Sequence, residues 1–253
     1  MTLPAYVDEG EGEGEPLLLL MGLGAPGETW RPHIDAWSQS FRCIAIDNRG
    51  AGGTPVGAVV PTTRDLAEDA AALVAHLGLG SVRVAGISMG ACIAQELTLG
   101  HPELVSKAVL VAPWARVDAA TDSLLETLWR AHASGDTRLF QALLRNLIWT
   151  REWIDEHAEE QDFELNAPLA MATAAFRHQV DACAMHNTLS RLNAITVPVL
   201  VTWGARDTFI RPELSVQTAA AISGAQTSEY RTGHVHHWEE LDRFNREVEE
   251  WLR

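Results

Sequence analysis

The chain has 253 residues, 47% of them hydrophobic and 21% charged. That is enough for one large α/β domain, or a domain with an insertion, and excludes a disordered segment. The 34 acidic residues outnumber the 19 basic ones, giving a formal net charge of −15; this argues against the cationic face that nucleic-acid binding requires and against docking on an anionic membrane leaflet.

A chain of this length buries roughly three quarters of the surface its unfolded form exposes, so its core needs neither a metal nor a disulfide. The cysteines, Cys43, Cys92 and Cys183, are odd in number and far apart, which predicts buried free thiols and a reducing cytoplasm. No Lys or Arg precedes Arg31, so the apolar run 17–20 lacks the basic flank and the length of a signal peptide. Nor does any apolar run approach the 18 or so residues of a membrane span.

In chain order, residues 8–16 alternate Gly with Glu and end in Pro16, which predicts a solvated turn between two early strands. Residues 17–21 read as a buried strand that ends in Gly22-Leu23-Gly24, and residues 42–46 as a second strand leading into the glycine-rich loop 47–53. Leu66, Ala70, Leu73, Val74 and Leu77 then fall at helical spacing, with Thr62 and Asp65 placed as a helix start and Gly78 as its close. Residues 81–85 predict a strand, a helix follows through Leu99, and residues 107–112 predict another strand. Nearly continuous apolar strands alternating with helices imply a mostly parallel sheet covered on both faces, an α/β fold.

The alternation stops between Trp114 and Asn193. This stretch is helical in pattern, holds four of the nine tryptophans and contains a single proline, Pro168. Strand and helix then resume: a strand over 197–203, a helix from Pro212, a strand over 227–230 and a last helix over 238–252. The predicted organisation is a core of residues 1–113 and 194–253 interrupted by an all-helical insertion, 114–193.

The sharpest chemical signal is Gly86-Ile87-Ser88-Met89-Gly90, where a strand gives way to a helix. A nucleophile there stands on a tight, strained turn, and glycines two residues to either side let strand and helix approach without a Cβ between them. The helix N-terminus aims free N–H groups at charge developing beside the serine. Without those partners the same pattern reads as a glycine-flanked serine capping a helix. Serine needs a base, and His234 stands after the last strand and before the last helix. The base needs a carboxylate to fix its tautomer, and Asp207 follows strand 197–203, at the strand ends where open α/β sheets place their sites. The order Ser88, Asp207, His234 is that of one of three unrelated serine-hydrolase arrangements.

With these residues in place, the chain resembles the α/β-hydrolase fold superfamily, in its cap-bearing branch of esterases, lactonases, C–C bond hydrolases and cofactor-free perhydrolases. The resemblance rests on Met21-Gly22-Leu23-Gly24 with Trp30, on Asp47-Asn48-Arg49-Gly50, on the Ser88 turn, on Gly204-Ala205-Arg206-Asp207, and on His234 through Glu239 followed by Phe244-Asn245. It covers nearly the whole chain outside 114–193, and that insertion corresponds to the family's helical cap, with a cadence similar to that of 3-oxoadipate enol-lactonase-like enzymes. The resemblance implies an oxyanion hole made by the backbone N–H groups of Leu23 and Met89, and needs no metal or organic cofactor. Two departures stand out: Met21 where the family has a histidine before Gly22, and Leu241 where relatives often carry proline.

The function expected is cleavage of a small, partly apolar carboxylic ester or lactone by a serine hydrolase. C–C cleavage or perhydrolysis at the same three residues is the alternative within the fold, and a non-catalytic ligand-binding receptor is the alternative of another class. Gly22 and the tryptophans Trp114, Trp129, Trp149 and Trp153 are candidate pocket residues, with simple core the competing role. Asp118 is a rival acid, since some relatives place the acid after the preceding strand; the local turn favours Asp207. His234, His236, His237 and Glu239 could be read as a metal cluster, but the ligand spacing is incomplete. His237 is expected to pack near the base and His236 to be exposed. Cys92 reads as a small buried residue, and Glu68, Asp69, Glu159 and Glu160 as solvated helix faces. The sequence leaves monomer or homo-oligomer open.

Overall fold

Each apolar run becomes a strand of one sheet in the computed structural model of the chain, which describes residues 3–10 and 15–253. The strands are β1 (Tyr6–Glu9), β2 (Glu15–Leu20), β3 (Phe41–Ile46), β4 (Val82–Ile87), β5 (Val105–Val111), β6 (Val199–Gly204) and β7 (Gln226–Tyr230). Their spatial order is β1-β3-β2-β4-β5-β6-β7, and every pairing is parallel except that of β1 with β3. The chain steps from β2 outward to β3 and then returns past β2 to β4, so the strand order reverses between β2 and β4. A crevice opens above the carboxyl ends of strands at such a reversal, which is where ligands bind in open α/β sheets.

The sequence of β2 shows why the sheet is buried on both faces. Leu17, Leu18, Leu19 and Leu20 are all fully buried. Leu18 and Leu20 point into one core with Ile44, Ile46 and Val84, whereas Leu17 and Leu19 point into a second core with Cys43, Ala45 and Ala85. Alternate side chains of a strand face opposite ways, so an unbroken apolar run needs a layer on each side. Burying one such leucine contributes about 1.5–3 kcal/mol. Helices α1 (Arg31–Trp37) and, at the chain's end, Leu241–Leu252 supply the second layer through Ile34, Trp37, Phe244 and Val248. Helices α2 (Thr63–His76) and α3 (Met89–Gly100) supply the first through Leu66, Leu73, Ile93 and Leu97. The start of α2 is a capping box: Thr62 and Asp65 each accept from the other's backbone N–H.

Between β5 and β6 lie α4 (Ala119–Ala133), α5 (Thr137–Ile148), α6 (Arg151–Glu156), α7 (Ala158–Glu164) and α8 (Thr173–Met185). The two ends of this inserted segment meet at an antiparallel bridge between Arg116 and Asn187. Helices α9 (Pro212–Ala221), α10 (His236–Glu239) and α11 (Leu241–Leu252) complete the chain. The single last helix expected over 238–252 is thus two, separated by Glu240 at φ −121° and ψ 51°. Leu241 is the first residue of α11, a position that accepts proline equally well, so its departure from the family pattern leaves the helix intact. Strand β4 runs two residues past its expected end and includes Gly86 and Ile87. The turn expected over 8–16 is narrowed by strands that reach Glu9 and begin at Glu15, and its middle, residues 11–14, lies outside the described residues. Among the described residues no helix is long and apolar enough to cross a membrane.

Candidate active site

The turn from β4 to α3 holds Ser88 at φ 55° and ψ −118°, a backbone conformation that L-residues rarely adopt and that stores about 1–3 kcal/mol. Packing and hydrogen bonding hold it there. Ser88 N donates to Val111 O at 2.8 Å, and both neighbouring glycines are required by contact. A methyl group on Gly86 would collide with the carbonyl of Gly90, and one on Gly90 with the carbonyl of Leu20. Met89 opens α3, so its N–H has no carbonyl four residues earlier to bond and remains available beside Ser88. The loop after β2 runs alongside: a Cβ on Gly22 would lie 3.4 Å from Ser88 Cβ. Leu23 follows it in the same loop and, with Gly22 and Ser88, lines a cavity described below.

His234 and Asp207 meet at the ends of neighbouring strands. His234 Nδ1 lies 2.7 Å from Asp207 Oδ2, with both side chains buried. The other carboxylate oxygen, Oδ1, accepts from Phe209 N and Ile210 N, each at 2.9 Å. A carboxylate can only accept, so Nδ1 carries the proton and Nε2 presents its lone pair away from Asp207. Backbone approach makes this possible: a side chain on Gly204 would overlap the carbonyl of Gly233, so only glycine lets the two loops close.

Ser88 and His234 open onto one cavity of about 330 Å³ between the strand ends and the inserted segment. Its wall is mostly apolar, with Leu128, Phe140 and Met171 from the insertion and Phe209 and Trp238 from the core. Of the candidate pocket residues, Gly22 and Trp149 line it. Trp114, Trp129 and Trp153 do not, and each has a physical reason. Trp114 is core, packed at the head of the insertion against His186. Trp129 faces the guanidinium of Arg177, 4.6 Å from its ring centre. Trp153 is stacked between Trp149 and His157.

Burial decides several other expectations and reverses those for His236 and Asp69. His236 is fully buried, not exposed, with Nε2 2.9 Å from Thr202 Oγ1; burial holds its pKa down at about 3. His237 stacks on His33 at 5.3 Å, and burial pushes its pKa well below the ordinary value. Glu239 turns to the insertion, accepting from Thr150 N at 3.2 Å and from Gly233 N at 2.9 Å; burial raises its pKa. Among the described residues no group of three or more His, Cys, Asp or Glu is arranged to hold a metal ion. Asp118 caps α4, accepting from Thr121 N at 2.8 Å, and pairs with Arg211; the backbone bond is the largest reason its pKa sits near 2. Asp69 is buried rather than solvated, bound through both oxygens to Arg49 at 2.6 and 2.8 Å. Cys92 is buried against α3's neighbours, and burial raises its thiol pKa.

Sequence reasoning passed over His132 and Gln179. His132 lines the cavity and stacks on Phe176 at 4.4 Å, and burial lowers its pKa. Gln179 is fully buried in α8. The signal for both was a polar residue at an apolar helical position: Ala175, Phe176, Val180 and Cys183 share the buried face with Gln179.

The profile of the alpha/beta hydrolase fold family matches residues 15–241. The chain is 34% identical to "Putative non-heme bromoperoxidase BpoC" of Mycobacterium tuberculosis strain H37Rv, over 95% of this chain and 94% of that protein. The crystal structure of that protein superposes with a TM-score of 0.89, covering 99% of this chain and 96% of the other. "Putative carbamate hydrolase RutD" of Rhizobium rhizogenes is 28% identical over 95% of this chain and 94% of its own length. The enol-lactonase of Burkholderia xenovorans LB400, at 23% identity, has a TM-score of 0.86 over 98% of this chain and 95% of that one, a likeness of fold alone.

Proposed function

The chain belongs to the alpha/beta hydrolase fold family, and from that premise we propose that it is a serine hydrolase acting on a small carboxylic ester or lactone. The observation that carries this reading is His234, held by the buried Asp207 and opening with Ser88 onto one cavity. His234 Nε2 takes the proton of Ser88 Oγ as the oxygen attacks the carbonyl carbon. The C=O electrons move to oxygen, and the N–H groups of Leu23 and Met89 hold the resulting oxyanion. Asp207 stabilises the imidazolium. Collapse expels the alkoxide, which takes the proton from His234 and leaves an ester on Ser88 Oγ. Water, deprotonated by the same imidazole, then attacks that ester, and Ser88 recovers its proton as the acid departs. The segment 114–193 acts as a cap that walls the cavity and keeps bulk water from it. Three buried free thiols favour the cytoplasm as the compartment.

The name of the 34% identical relative favours perhydrolysis as a second reading. In it, hydrogen peroxide replaces water at the second step, forming a peracid from the same acyl group.

Intact mass after incubation with a fluorophosphonate, on the native chain and on Ser88→Ala, tests the first step. One adduct on the native protein and none on the variant is expected, followed by turnover of an ester and lactone panel. Ester turnover by Ser88→Ala equal to that of the native chain, free of contaminating esterase, would overturn the mechanism. Peracid formation from acetate and hydrogen peroxide outrunning ester hydrolysis would select the second reading.

A further inference from the structure

The loop that carries Leu23 is pinned on both sides. Below it, Asn48 Nδ2 donates to Met21 O at 3.0 Å, which fixes the peptide between Met21 and Gly22. Above it, Gly24 N donates to Gln179 Oε1 at 2.8 Å, which fixes the peptide between Leu23 and Gly24. The peptide left between these two holds the Leu23 N–H.

Gln179 comes from α8, in the inserted segment, and its other end reaches a second loop: Nε2 donates to Arg49 O at 3.0 Å. Arg49 is itself tied to Asp69, while Asp47 accepts from Gly27 N at 2.7 Å and from Gly53 N at 2.8 Å, so this second loop is a rigid anchor. Steric contact adds to the bonding. Gly24, at φ +82°, leaves room for the Phe176 ring, which a Cβ there would meet at 3.1 Å. Gly50, at φ +86°, is pressed by Ala175, whose Cβ would stand 2.6 Å from a Cβ on the glycine. Residues 175, 176 and 179 share one helix face, so a single face of α8 clamps both loops.

We propose that Gln179 is a positioning residue for the oxyanion hole, setting the direction of the Leu23 N–H through Gly24 and bracing it against Arg49. The inference rests on the reading above, in which Leu23 receives the oxyanion. A donor aimed at the transition state lowers the barrier only if its direction is fixed in advance, and losing one such donor outright costs about 10²–10³ in kcat. Loosening one predicts a smaller loss. The amide suits this task because it accepts with one end and donates with the other without adding a charge to a buried site.

The test measures kcat and KM for a short aryl ester, and the affinity of a phenylboronic acid that forms a tetrahedral adduct on Ser88. Gln179→Leu is expected to lower kcat about 10- to 100-fold, to weaken the boronate by a similar factor and to leave KM within about threefold. Gln179→Glu accepts from Gly24 N but turns a carboxylate oxygen toward Arg49 O; protonation restores a donor there. Its turnover relative to native at the same pH is therefore expected to rise as the pH falls, and this arm decides the matter if Gln179→Leu does not fold. Arg177→Ala, on the same helix, removes the ion pairs to Glu126 and Asp181 without touching either loop and serves as the control for a weakened α8. A kcat within twofold of native in Gln179→Leu, or an equal loss in Arg177→Ala, overturns the inference alone. Turnover that survives in Ser88→Ala overturns the underlying reading, and the inference with it.

Discussion

His234 Nδ1 and Asp207 Oδ2 stand 2.7 Å apart in a buried pair, while Asp118, the rival acid in the segment after β5, is spent on capping α4. The two acids therefore have separable effects. Asp207→Asn keeps the volume, but its amide can offer a donor to Nδ1 and turn the imidazole to the wrong tautomer; turnover is expected to fall about 10³- to 10⁴-fold. Asp118→Ala removes a helix cap and is expected to lower stability by about 1 kcal/mol with kcat unchanged. Steady-state kinetics and urea unfolding on both variants check this, and an inactive Asp118→Ala with native stability would reverse the assignment.

The glycines divide in the same way, by what a methyl group would meet. On Gly90 it would strike the carbonyl of Leu20, at the junction of β2, β4 and α3, whereas around Gly78 there is open space within 4 Å. Gly78 has φ +63°, so Gly78→Ala pays only local backbone strain, about 1 kcal/mol. Gly90→Ala must displace backbone at the centre of the sheet and is expected to lower the thermal midpoint far more, or to prevent folding. Equal midpoints for the two variants would contradict this account of the turn.

These contrasts show which parts of the molecule were legible in the sequence. The Ser88 turn is local, since two glycines and a strand-to-helix change fall within five residues. Asp207 and His234 could be found because parallel strands deliver their carboxyl ends to one edge of the sheet. The tryptophans of the insertion could not be sorted this way. The helical pattern places Trp129 within a helix and Trp149 at the end of one, but does not say which neighbour each side chain meets, and Arg177 claims one while the cavity takes the other. The break at Glu240 carries no Gly or Pro to announce it. His236 was expected to be exposed, yet it is buried and β6 offers Thr202 as its partner.

Buried imidazoles give the stability a definite pH dependence. Burial holds His33 at about 4 and His186 and His236 at about 3, whereas an imidazole in the unfolded chain titrates near 6.5. Below pH 6.5 the unfolded chain binds protons that the folded chain refuses. Stability is therefore full above 6.5 and falls as the pH drops toward the folded values. At pH 5 these three side chains account for an uptake of about three protons on unfolding, above the range where most carboxylates titrate. The urea midpoint is expected to fall steadily from pH 7 to pH 5 with little change in the slope m. A midpoint that stays level over that window would mean these imidazoles are not neutral in the folded protein.

The cavity also sets the charge of its occupant. Among the described residues its wall contains no Lys or Arg, and burial lowers the pKa values of the two imidazoles it adds to His234, His132 and His237, which keeps both neutral near pH 7. A carboxylate on the acyl group would leave water for an apolar wall without a cation to meet it, inside a chain of net charge −15. An unpaired charge moved into such surroundings loses several kcal/mol, most of which a substrate avoids by staying in solution. An aryl butyrate is therefore expected to exceed the matching aryl hemisuccinate by about 10²-fold or more in kcat/KM, since the two differ mainly in the charged end. Raising the salt concentration would narrow the gap only by its long-range part, because screening acts on the field of the surface and not on the apolar wall. A hemisuccinate turned over as fast as the butyrate would show that the acyl group lies outside the cavity or that a cation reaches it during turnover.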